Sequence, residues 1–236
     1  MVQNKIETVK SLYSLELADN EIAFIFLGYS GILLRSKNLA IAIDPGRRSL
    51  DQSEISAIKH LDLLFFTHNH WDHYCNDVAL QIIKQTGAHV IADVISSEEL
   101  KKSVPPNKIT VGDSGSSEKS YKVEGHEIVA LRGVHVGPTT KYLVNLGKIK
   151  VFHGADSGYW RHKGISAEIA FVPTGTATTC SPEVALAMVV NLQPKLAVPI
   201  HGNKQDMKQF KVLMDKVIPE IEVIVPEKFK LIKTSI

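Results

Sequence analysis

The chain is poor in the features that mark secreted, membrane-spanning or nucleic-acid-coating proteins. It has only two cysteines, Cys75 and Cys180, too few for a disulfide framework, which leads us to expect a reducing compartment, the cytoplasm by default. No run of eighteen apolar residues occurs, so no membrane span is expected, and the polar stretch Met1 to Lys5 is not followed by a signal-like apolar block. A surplus of one charge is missing as well: Lys and Arg total 27 against 25 Asp and Glu, a net of +2. An extended electrostatic footprint for nucleic acid is therefore not evident, and a small-molecule substrate is expected instead, with homo-oligomerisation left open.

What is present is 236 residues of 44% hydrophobic content, enough to bury a full core in one large domain or in a fused pair of similar halves. We expect a single domain over residues 1–236. Short apolar runs between turn signals predict strands at Ile22 to Leu27, Ile32 to Leu34 and Leu39 to Ile43, the last ending at Asp44, Pro45 and Gly46. Leu61 to Phe66 is a continuous apolar run that suits a strand covered on both faces. Helical spacing at Val78, Ala79, Ile82 and Ile83 runs to Gly87, a strand resumes at His89 to Ala92, and Ser96 with Glu99 reads as a capping box. Residues 105–120 read as loops and turns around the short run Ile109 to Val111. Further strands are expected at Ile128 to Leu131, Tyr142 to Leu146, Ile149 to Phe152, Ile169 to Val172, Leu196 to Ile200, Val223 to Val225 and Phe229 to Ile232. Helices are expected at Val184 to Leu192, opened by Ser181, Pro182 and Glu183, and at Gln205 to Val217. Two strand-rich halves, each carrying helices, predict two sheets packed face to face with helices outside.

The most informative segment is His68, Asn69, His70, Trp71, Asp72 and His73, four strong metal ligands within six residues directly after an apolar strand. Alternate side chains of an extended segment share a face, so His68 and His70 can converge on one cation while Asp72 and His73, past the bend, reach a second. Imidazoles with a carboxylate suit Zn, Mn or Fe rather than Ca or Mg. A site needs more than one short motif, and three more candidates follow predicted strands singly: His135, Asp156 and His201.

This order, HxHxDH and then His, Asp and His, resembles the metallo-β-lactamase-fold superfamily, within it the small metal-dependent hydrolases related to ascorbate 6-phosphate lactonase and N-acyl phosphatidylethanolamine phospholipase D. The motifs span residues 68–201, and the strand pattern covers nearly the whole chain. The resemblance implies an α/β (α+β) fold, a four-layer αβ/βα sandwich with two mostly antiparallel β-sheets face to face. It also implies two divalent metal ions, Zn first and Mn or Fe as alternatives. His68, His70 and His135 would bind the first, Asp72, His73 and His201 the second, and Asp156 would bridge them. The subgroup commonly has Gly-His-Ser or Gly-His-Ala where this chain has Gly28, Tyr29 and Ser30, and Gly-Asp where it has Ala155 and Asp156.

Two cations that share a hydroxide supply a nucleophile at neutral pH, so the expected activity is hydrolysis of a small ester, lactone or phosphate-bearing substrate, with Asp72 also orienting the nucleophile and moving its proton. A phosphodiesterase or nuclease on the same metal pair is the alternative, and a non-catalytic metal-binding or ligand-sensing protein ranks third. Candidate substrate contacts are Tyr29, Trp71, His153, Tyr159, Trp160, Arg161 and Thr176, with Arg47 and Arg48 as a candidate phosphate grip.

Overall fold

The computed structural model describes residues 5–113, 118–176 and 179–236. The polar stretch Met1 to Asn4 and the centre of the 105–120 segment lie outside the described residues. Along the chain the elements are α1 (Lys5–Ser14), β1 (Glu21–Gly28), β2 (Gly31–Arg35), β3 (Ala40–Ile43), α2 (Gln52–Ser56), β4 (Leu63–Phe66), α3 (Asn76–Thr86), β5 (His89–Ala92), α4 (Val94–Leu100) and β6 (Ile109–Val111). Then come β7 (Glu118–Val123), β8 (His126–Arg132), β9 (Thr140–Asn145), β10 (Lys150–His153), β11 (Ile169–Pro173), α5 (Pro182–Leu192), β12 (Leu196–Ile200), α6 (Lys204–Val217), β13 (Glu222–Val223) and β14 (Leu231–Ser235). They fall into two compact units, Met1–Gly112 with Glu227–Ser235, and Asp113–Pro226 with Ile236.

The first unit holds a seven-stranded sheet in the order β14-β1-β2-β3-β4-β5-β6. Pairing is antiparallel from β14 to β3 and parallel from β3 to β6. The change occurs where α2, α3 and α4 enter the connections, because consecutive parallel strands need a crossover that two-residue hairpins do not provide. Its helix-side core gathers Val9 and Leu12 of α1, alternate sheet residues such as Ile25, Leu33, Ala42, Leu64, Phe66 and Val90, and Ile82 of α3. Burial of these side chains, each contributing roughly 1.5–3 kcal/mol, makes β4 a fixed platform at its carboxyl end. α3 stops at Gly87 in the left-handed conformation. The expected capping box at Ser96 and Glu99 is not what opens α4: Asp93 caps it, accepting from Ile95 N and Ser96 N, because the helix already begins at Val94.

The second unit repeats the plan with the order β13-β12-β11-β10-β9-β8-β7. Here β7 to β10 pair antiparallel and β10 to β13 parallel. Both sheets are therefore evenly mixed, with more parallel pairing than the expected mostly antiparallel arrangement, again because α5 and α6 lie in the crossovers. The expected hairpin at Gly147 forms, with β9 and β10 antiparallel and Leu146 N bonded to Ile149 O. β7 was not expected: its sequence is exposed at four of six positions and carries no apolar alternation to read, yet it pairs with β8 along its whole length. The C-terminal strands shift slightly, to Glu222–Val223 and Leu231–Ser235. Under α5 and α6 the second core joins Leu131, Leu143, Phe152, Val172, Met188, Leu192, Phe210 and Met214.

One charged residue enters that core. Lys141 stands opposite Leu131 in the β8–β9 register, shares a face with Leu143, and is 1% exposed. Burial pulls its amine down from 10.5 to about 7, with the neighbouring Cys180 acting weakly the other way. Between pH 7 and 10.5 the unfolded chain carries a proton that the folded chain lacks, so stability should rise with pH across that window and level off below it. Lys141→Met should raise the melting temperature most near neutral pH and flatten this rise. Denaturation of both proteins at the two ends of the window checks it, and an unchanged rise in the variant would exclude Lys141 as its source.

Candidate metal centre

Each candidate ligand leaves its sheet at a strand's carboxyl end, where connecting backbone is released from the ladder and side chains can converge. In the first unit β4 releases Thr67 and then the His68 to His73 turn, closed by His73 N and Tyr74 N on His70 O at 2.9 and 2.8 Å. That turn is organised by Asp44, at the end of the adjacent β3. Its carboxylate, fully buried, accepts from Thr67 N at 2.8 Å and from Thr67 Oγ1 at 2.7 Å, and the Nδ1–H of His73 donates to it at 2.8 Å. Thr67 Oγ1 also lies 3.1 Å from His68 Nδ1. One buried acid therefore orients His73 directly and His68 through Thr67, leaving Nε2 as the lone-pair nitrogen of both rings. Asp44 was read in the sequence only as a strand end; an acid closing an apolar strand ahead of a histidine cluster was the available signal.

The geometry suits a cation. His68 Nε2 and His70 Nδ1 lie 3.1 Å apart with their rings edge to face, and two nitrogens at 2.0–2.1 Å from one tetrahedral Zn would be separated by about 3.3 Å. Asp72 Oδ2 is 3.8 Å from His73 Nε2, so the second pair of the motif also points its donors together. Gly46 brings the β3 loop against this turn: a Cβ there would sit 2.2 Å from Asp72 O, and the neighbouring Arg47 N bonds Trp71 O at 2.9 Å. No side chain larger than hydrogen fits that approach.

The second unit carries His135, Asp156 and His201. Asp156 Oδ2 lies 3.4 Å from His135 Nε2 and 3.7 Å from His201 Nε2, so one carboxylate oxygen touches both imidazoles. The His135 loop is tied to the Asp156 loop by Val134, whose N–H donates to Ser157 Oγ at 2.8 Å and whose carbonyl accepts from Gly158 N at 2.8 Å. His201 follows β12 and is flanked by Ile200, whose carbonyl accepts from Thr174 N at the end of β11. Asp44, Ala155 and His201 all have positive φ, near 50–60°, where a side chain costs roughly 1–2 kcal/mol. Ala155, at φ 58°, sits where a glycine would be free of this strain.

The remaining candidates scatter. Tyr29 and Trp71 stack edge to face at 5.5 Å, about half exposed. His153 is fully buried, and its Nδ1 accepts from Ala155 N at 3.2 Å, so it braces the turn that presents Asp156 rather than lining a surface. Tyr159 and Arg161 line a groove with Glu183, Leu186 and Val190 of α5, and Trp160 lies under the Arg132 guanidinium at 4.4 Å. Thr176 donates to Asp206 Oδ1 at the start of α6. Cys180 is buried and donates to Pro173 O, as a small core residue does.

The family described as "Beta-lactamase superfamily domain" matches residues 23–201. A protein of Thermus thermophilus described as a UPF0173 metal-dependent hydrolase is 31% identical over 75% of this chain and 82% of its own. Among solved structures, Igni18 of Ignicoccus hospitalis, described as a novel metallo hydrolase, has a TM-score of 0.77 at 22% identity, covering 92% of this chain and 99% of that one. YhfI of Bacillus subtilis, described as a metallo-beta-lactamase fold protein, has a TM-score of 0.70 at 15% identity, covering 91% and 100%. The fold is thereby that of the metallo-β-lactamases.

Removing the acid that orients two imidazoles should weaken metal binding without unfolding the sheet. Asp44→Asn, which keeps the volume but neutralises the carboxylate, should lower metal affinity about 10–100-fold in chelator competition. Unchanged affinity would show that Thr67 and the turn backbone suffice.

Proposed function

The chain belongs to the beta-lactamase superfamily domain family, and from that premise we propose that it is a binuclear-centre enzyme cleaving a small ester, lactone or phosphate-bearing substrate. It is a metal-dependent hydrolase, as its relatives are described. The proposed ligands are His68, His70 and His135 for one ion and Asp72, His73 and His201 for the other, with Asp156 shared. The observation that carries this reading is the single Asp156 oxygen lying within 3.7 Å of both His135 and His201, the two histidines assigned to different ions. Such a donor set of imidazoles and carboxylates favours Zn, with Mn or Fe as alternatives.

Two divalent ions bound there would supply a nucleophile at neutral pH and Lewis-acid polarisation of the scissile group. The chain's own residues set the conditions for it. Asp44 and Thr67 hold His68 and His73 in one tautomer, so neither ring needs to reorient as substrate arrives. Asp72, partly exposed beside buried His73, turns Oδ2 toward that ring as a metal donor, and on this reading its other carboxylate oxygen would orient the nucleophile and take its proton. Asp156 is 4% exposed and His201 8%, which keeps water away from their side of the centre and strengthens the charge interactions there. No described helix is long and apolar enough to cross a membrane, and both cysteines are free; we place the protein in the cytoplasm and treat residues 1–236 as one domain on this reading.

Metal analysis of the purified protein, coupled to a screen of lactones, phosphodiesters and thioesters, tests the function. Two equivalents of metal with turnover on one class are expected, and tight metal binding without turnover across the panel would favour a sensor instead. Asp156→Ala should cost at least one equivalent of metal and nearly all turnover. Full activity in that variant would end the shared-carboxylate assignment.

A further inference from the structure

Helix α5 is apolar on more than the side it packs. Ala185, Met188, Val189 and Leu192 are buried in the second core, as one stripe of a packed helix must be. Away from that stripe Leu186 and Ala187 are half-buried and Val190 is 49% exposed, where a surface helix ordinarily carries polar side chains. The loop that leaves Asp156 runs against these residues. Together they bound a groove of about 590 Å³, the size of a small-molecule site, with Tyr159 and Arg161 on the loop side and Leu186, Ala187 and Val190 on the helix side. The two walls are tied: the His162 N–H donates to Asn191 Oδ1 at 3.0 Å, and Asn191 Nδ2 donates to His162 O at 3.2 Å. Trp160, between the two loop residues of the groove, is held under the Arg132 guanidinium at 4.4 Å.

The groove's two charges stand toward opposite ends. Arg161 directly precedes His162, whose backbone is bonded to Asn191 near the end of α5, and among the described residues Arg161 forms no ion pair. Glu183 lies in the first turn of α5, about 12 Å along the helix from Asn191, and its Oε1 accepts from Gln209 Nε2 at 3.0 Å. An apolar body is therefore matched by the floor, and an anionic group by the Arg161 end, where no carboxylate competes for the guanidinium. Tyr159 follows Asp156 by three residues, so their Cα atoms are at most about 11 Å apart, within the length of a small substrate. We propose that this groove binds the non-reacting part of the substrate, an aliphatic chain bearing an anionic group that pairs with Arg161. The proposal names a substrate class for the hydrolase reading and rests on that reading for its catalytic role, whereas the binding itself is tested without turnover.

Calorimetric titration of the full-length protein, as purified, with octanoate, octan-1-ol and acetate tests it. Octanoate should bind about tenfold or more tightly than acetate, the gain that burial of roughly two methylenes provides, and more tightly than octan-1-ol, which lacks the charge. Val190→Asn, an uncharged change at an exposed position that the fold tolerates, should remove most of the advantage over acetate. Arg161→Ala should bring octanoate down to the affinity of octan-1-ol and leave the alcohol unchanged. Equal binding of acetate and octanoate, octanoate affinity unchanged by Val190→Asn, or an advantage over octan-1-ol that survives Arg161→Ala would overturn the proposal. Because these readouts need no catalysis, a protein that binds octanoate in this groove but hydrolyses nothing would count against the hydrolase reading alone.

Discussion

The carboxylate of Asp44 is the constraint around which the motif is arranged. It is wholly buried, it lies at the end of β3, and it takes the N–H and hydroxyl of Thr67 and the Nδ1–H of His73 at 2.7–2.8 Å. A buried acid is tolerated only when its oxygens are satisfied, so the loop after β4 has little freedom to be anywhere else. Every later feature of that loop follows from it: the tautomers of His68 and His73, the turn closed on His70, and the contact of Gly46 with the Asp72 backbone. The parallel pairing of β3 with β4 is what brings Asp44 and Thr67 side by side in the first place.

The second unit solves the same problem with different parts. There the acid is itself a candidate ligand, Asp156, and the bracing is done by His153 beneath it and by Ser157 and Gly158 holding Val134 beside it. In both units left-handed backbone occurs where donors are presented, at Asp44, Ala155 and His201, and the strands feeding them end in buried residues. That division is expected where a rigid sheet has to hold side chains in orientations that their own backbones disfavour.

Much of this was legible beforehand. The apolar runs located ten of the strands closely, because buried strands must be apolar on at least one face whatever lies around them. The ligand motif stood out because four metal donors in six residues have few other uses. Three kinds of feature stayed hidden. β7 is polar and takes its strand conformation from pairing with β8 alone. The Asp93 cap lies three residues ahead of Ser96, which was expected to open that helix. α1 did carry a signal, Val9, Leu12 and Tyr13 at helical spacing, but it lies in a segment that the strand pattern does not reach. His153 belongs to a further class, since a histidine that braces a turn and one that lines a surface have the same local sequence.

The sequence by itself determined which donors this protein has, the order in which they leave its strands, and hence the kind of metal chemistry open to it, because donor type and local spacing are properties of short segments. Tertiary structure alone decided which of them act together. Asp44 and His73 are 29 residues apart, Asp156 touches two histidines from different strands, and Tyr29 meets Trp71 across a turn and a sheet. Those meetings depend on strand register, and register is set by the packing of whole faces rather than by the residues that profit from it.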